Sequence, residues 1–122
     1  MKKLLLVGLM ILAGSAWAEW TFVVKTDDVN YYADYATFRK EADLRKIWVL
    51  MSGKSDSKAK SIKTKMEFDC KKEQSRLSYI STHSELMGRG QILDVKSEGR
   101  HGFVDIPPDS PFNLIFNIVC SK

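Results

Sequence analysis

Two cysteines, two histidines and a run of lysines are the residues through which this chain could do chemistry. Cys70 and Cys120 stand about 50 residues apart; neither belongs to a CxxC pair and neither has a histidine beside it, which leaves a metal cage little to build on. A bridge between them is the first reading, and a pair of reactive thiols is the rival. His83 and His101 are isolated in sequence and read as surface or rim residues. No HExxH, GxSxG or P-loop accompanies them. Gly88-Arg89-Gly90 is not a phosphate cradle, because no helix and lysine follow in order; it reads as a bulge or tight turn before a strand. Asp27 and Asp28 fit a solvated turn. No catalytic residue, metal ligand or cofactor is expected, and the chain is read as a non-enzyme.

The lysines are the surviving feature. Lys54, Lys58, Lys60, Lys63 and Lys65 crowd one stretch with only Asp56 to oppose them, and Lys71 and Lys72 follow. Such a patch holds polyanions or the acidic surface of a partner protein. It also serves as a solvated edge whose charges discourage strand-to-strand aggregation. Both readings stay open on the residues alone. The chain carries 19 basic and 15 acidic residues, a formal net charge of +4, and loss of Lys2 and Lys3 would halve it. That mild balance argues against a dedicated nucleic-acid binder.

Those two lysines open a secretory signal. Lys2-Lys3 is a positive n-region, Leu4 to Ala13 an apolar core, and Ala16-Trp17-Ala18 a small-x-small cleavage site. Residues 1–18 are expected to be a signal peptide and residues 19–122 a single exported domain, periplasmic or at the cell surface. No cysteine sits at the cleavage point, so a lipid anchor is not expected. The mature chain has no further apolar run long enough to span a membrane. Export favours the disulfide. A closed loop of about 50 residues is worth roughly 4 kcal/mol in the chain-entropy model.

The elements that must position these groups are mostly strands. Residues 20–25, WTFVVK, are β-branched and aromatic. VNYYAD and YATFRK continue in that style, KEAD at 40–43 reads as a turn, and LRKIWVLMSG is apolar on both faces at its centre, which places it centrally. Residues 61–70, SIKTKMEFDC, alternate clearly. Ile62, Thr64, Met66, Phe68 and Cys70 face inward; Lys63, Lys65, Glu67 and Asp69 face out. RLSYISTH alternates again, with Leu77 and Tyr79 inward. GRGQILDV and FVDI supply further short strands. In PPDSPFNLIFNIVC, Ser110 is a candidate N-cap and Pro111 a first helical residue, and Phe112, Ile115, Phe116 and Val119 recur at helical spacing. A short helix is predicted there, with a final strand as the alternative.

VNYYAD at 29–34, KSIKTKMEFDC at 60–70, MGRG at 87–90 and the proline-led PPDSPFNLIFNIVC, in that order, resemble the bacterial surface-adhesin protein E family over nearly the whole mature chain. The resemblance implies an α+β, mostly β fold: an antiparallel sheet of about six strands, one short C-terminal helix, and a Cys70–Cys120 bridge tying that helix to a strand. It also implies an adhesin-like module that binds host matrix or serum proteins such as vitronectin and laminin. Its binding residues would be Lys54, Lys58, Lys60, Lys63 and Lys65. The other reading is a non-catalytic periplasmic protein, or the subunit of an envelope complex, with a bacterial partner. Unpaired sheet edges permit a homodimer without specifying one.

Overall fold

The computed structural model describes residues 19–53, 58–97 and 102–122. The expected signal peptide, Lys54 and His101 lie outside the described residues. Six antiparallel strands follow one another across one sheet in chain order: β1 Thr21–Thr26, β2 Val29–Glu41, β3 Leu44–Gly53, β4 Ser61–Asp69, β5 Gln74–His83 and β6 Ile92–Lys96. A two-residue strand, β7 Val104–Asp105, pairs with the start of β5 as a seventh, and helix α1 Pro111–Cys120 ends the fold. β1 to β6 each pair with the next strand in sequence, and short turns join β1 to β2, β2 to β3 and β4 to β5. Asp27-Asp28 closes β1 on β2, and Ala42-Asp43 closes β2 on β3, each with its first residue in the left-handed region. The expected turn at 40–43 is thus narrower than its sequence suggests; Lys40 and Glu41 are still paired with β3.

One face of the sheet carries the core. Ala33, Ile47, Val49, Met66 and Phe68 are covered by Ile115, Phe116 and Val119 of α1, with Phe112, Leu77 and Cys120 at the margins. The helical spacing of those residues is what allows it: one stripe of α1 lies flat on the sheet. Ser110 caps the helix, accepting the N–H of Asn113 at 3.1 Å, and Pro111 opens it. The helix is therefore confirmed over the strand alternative. At its far end the Cys70–Cys120 disulfide joins it to the end of β4, with Cα atoms 5.7 Å apart.

Two irregularities shape the opposite, outer face. Between Asp34 and Arg39, β2 carries three more residues than β3 opposite it, and the ladder opens. Between Lys65 and Met66 the register with β5 slips by one residue, at Ser78. The second bulge corrects one expectation. Leu77 packs on the core, but Tyr79 does not; the extra residue turns it to the outer face, where its ring meets Trp48 with centroids 5.1 Å apart. Beyond the bulge, Ile80 pairs with Thr64 and faces the core side instead.

Candidate functional site

The outer face of β4 brings the lysines together. Lys63 sits between Leu50 of β3 and Ser81 of β5, and Lys65 between Trp48 and Tyr79. Both are partly buried, whereas Lys58 and Lys60, before the strand, are exposed. The ammonium of Lys63 lies 5.8 Å from the centre of the Trp48 ring, a cation–π contact. Long stems lying on apolar neighbours with charged heads free is the usual arrangement for lysine on a sheet. The alternation read in the sequence thus holds for Lys63 and Lys65, and it does put both on one face.

That face is less solvated than alternation predicts. Residues after β5 fold back over it as a 3-10 turn, Leu86–Gly88. The N–H of Met87 donates to Ser52 Oγ at 2.9 Å, the N–H of Gly88 donates to Ser61 Oγ at 2.8 Å, and Ser61 Oγ donates to the carbonyl of Glu85. Leu50 is fully buried beneath it. Gly88 has φ +70°, and a Cβ there would stand 3.0 Å from Lys63 Cδ. The left-handed backbone there favours glycine, and a larger residue would have to push the lysine stem aside. The Met-Gly-Arg-Gly element is therefore a clamp that orders Lys63, and the tight-turn reading of Gly88 and Gly90 is right.

The clamp also explains His83, which is not the surface or rim residue its isolation suggested. It is 4 % exposed, with Nε2 2.8 Å from Ser81 Oγ and with Nδ1 buried and unpartnered among the described residues. Burial holds its pKa below the ordinary histidine value, and nearby Lys63 lowers it further. Both effects favour the neutral ring.

Glu67 departs from the pattern too. Expected in solvent, its side chain is only 8 % exposed; Arg76 grips it through Nε at 2.9 Å and Nη2 at 3.4 Å, and Lys46 stands 3.9 Å away. Lys46 reaches Glu41 as well, at 3.4 Å. Arg39, Lys46 and Arg76 are outer-face cations that the lysine run could not reveal, since each comes from a different strand and only pairing register brings it near β4. On the core side, a groove of about 420 Å³ between β5, β7 and the start of α1 is lined mainly by Met66, Leu77, Ile80, Val104 and Phe112.

The sequence matches the family described as surface-adhesin protein E over residues 20–121. Solved structures of Haemophilus influenzae protein E share the fold. Its selenomethionine form superposes with a TM-score of 0.64 at 13% identity, covering 83% of this chain and 86% of that one. A second structure gives 0.61 at 13%, covering 88% and 87%. A further crystal form gives 0.63 at 12%, covering 88% and 91%. Among curated proteins, none matches this chain. With the sheet, the C-terminal helix and the bridge between them in place, a match that spans nearly all of the described residues settles the lineage: the chain belongs to the surface-adhesin protein E family.

Proposed function

We propose that this protein is exported through a signal peptide at residues 1–18, without a lipid anchor, and works as a non-enzymatic adhesive module. Its lysine run, Lys54, Lys58, Lys60, Lys63 and Lys65, takes the acidic surface of a host matrix or serum protein such as vitronectin or laminin; β4 is paired on both sides, so Lys63 and Lys65 stand on the face of the sheet and not on the edge expected from the sequence. Family membership supports the adhesive class. The observation that carries the site is the side-by-side placement of Lys63 and Lys65 on one ordered face, with no carboxylate paired to either among the described residues. Unneutralised charges held on a rigid strand attract an acidic partner without first giving up an internal ion pair.

The test is binding of the oxidised protein to immobilised vitronectin and laminin over a salt series, beside a variant with Lys63→Glu and Lys65→Glu. Saturable binding should weaken as salt rises, because exposed charges are screened over about 10 Å at 0.1 M salt. The variant should stay folded, with a melting temperature lowered by loss of the Lys63–Trp48 contact, and lose binding. Retained binding at matched salt removes the lysine strand as the site; no binding by either form removes the adhesive reading of these ligands.

A further inference from the structure

Beside the lysine strand, the outer face holds a second arrangement of groups. Register sets Arg39 opposite Lys46 and Trp48 opposite Lys65, with Tyr79 on the far side of Lys65. Together with Ala36 and Thr37, the residues Arg39, Lys46, Trp48 and Lys65 line a depression of about 280 Å³. The β2 bulge makes room for it. Where the ladder opens, the Trp48 N–H donates to Thr37 Oγ1 at 3.1 Å, and Thr37 Oγ1 in turn donates to the Asp34 carbonyl at 2.6 Å. The depression therefore forms without leaving that amide open.

Its charge is not cancelled. Lys46 shares Glu41 and Glu67, but among the described residues no carboxylate pairs with Arg39 or Lys65. Arg39 is steered by Nη1, which donates to the carbonyls of Phe38 at 2.8 Å and Ala36 at 3.3 Å. Its Nη2 and Nε make no hydrogen bond among the described residues, which leaves donors for an oxyanion. The rings of Trp48 and Tyr79 form an aromatic shoulder beside the cations.

We propose that this depression is a subsite for one sulfated ring of a sulfated polysaccharide. Arg39 and Lys65 would take the sulfate, and Trp48 would meet the apolar face of the sugar. Its volume is below the roughly 300–1,000 Å³ of a cleft that encloses a small molecule, and suits one unit of a chain lying across the face. An acidic peptide fits less well. The site lies on β2, β3 and β4, interior strands whose backbone groups are spent on one another, so an extended peptide finds no ladder to join. A polysaccharide presents its anions on pendant groups and requires no backbone partner. The proposal shares only Lys65 with the adhesive lysines proposed above, and rests on that reading to that extent.

The test measures retention and titration of the oxidised full-length protein on heparin, with chemically desulfated heparin and poly-L-glutamate as the other arms. One variant carries Arg39→Gln with Lys65→Gln. A second carries Lys71→Gln with Lys72→Gln, which removes the same charge from the β4–β5 turn. Melting temperatures confirm that both fold. Heparin should bind at about 0.15 M salt and the other two polymers should not. The Arg39/Lys65 pair should weaken heparin binding by about tenfold or more, the worth of one charge-assisted contact, and the Lys71/Lys72 pair by less than about threefold. Equal losses in the two variants, equal binding of either control polymer, or no heparin binding would overturn the subsite. Vitronectin or laminin binding that persists without heparin binding removes this proposal alone; heparin binding without either protein ligand removes the other alone.

Discussion

At the scale of single residues, His83 shows how a bland sequence position acquires a physical role. Nothing around it in the chain marks it as buried, because its cover comes from residues 84–91 folding back over β3 and β4. With its folded-state pKa lowered, the unfolded chain binds the proton more readily than the folded one. The stability this neutral ring contributes is fully present above the unfolded value of about 6.5, and is lost as pH falls from there through the lowered folded value. Charging the ring would also place a cation near Lys63. Melting temperature should therefore fall between pH 7.5 and pH 5, and fall less in His83→Asn, with heat-scanning circular dichroism as the readout. Equal falls in both proteins would show that the clamp tolerates a charged ring.

At the scale of elements, α1 and β5 stand at opposite ends of what the sequence makes readable. The helix is announced by local chemistry: a serine cap, a proline in the first turn, then Ile115, Phe116 and Val119 on one stripe. Ser110→Ala should remove the bond to the Asn113 N–H and lower stability by about 1 kcal/mol, measured by urea denaturation; a change within error would mean that the disulfide and the apolar stripe alone hold the helix start. β5 is different. Its residues alternate throughout, yet the alternation misplaces Tyr79, because one extra residue at Ser78 reverses the faces on either side of it. A period-two pattern encodes facing only while pairing stays in step, and no glycine or proline marks this slip. The candidate site divides the same way. Lys63 and Lys65 were legible as neighbours on one strand, while Arg39, Lys46 and Trp48 join them only through the register in which β2 and β3 pair toward β4.

At the scale of the whole molecule, the strand order explains why α1 closes on a bridged cysteine. A sheet whose strands follow chain order is built almost wholly from contacts between sequence neighbours, and each hairpin can form or open with little reference to the far end. The core needs more than that, because Met66 and Phe68 are buried only when α1 returns across the sheet from the end of the chain. The Cys70–Cys120 bridge shortens that return by fixing the last turn of α1 beside the end of β4. Cys120→Ser should lower stability by roughly 2–5 kcal/mol, a large part of the 5–15 kcal/mol typical of a domain. The loss should be uneven: amide exchange should quicken most across residues 111–120 and β4, and least across β6, none of whose residues belongs to the core that α1 covers. An unchanged urea midpoint, or exchange that quickens equally everywhere, would mean that the apolar face of α1 closes the core without the covalent tie.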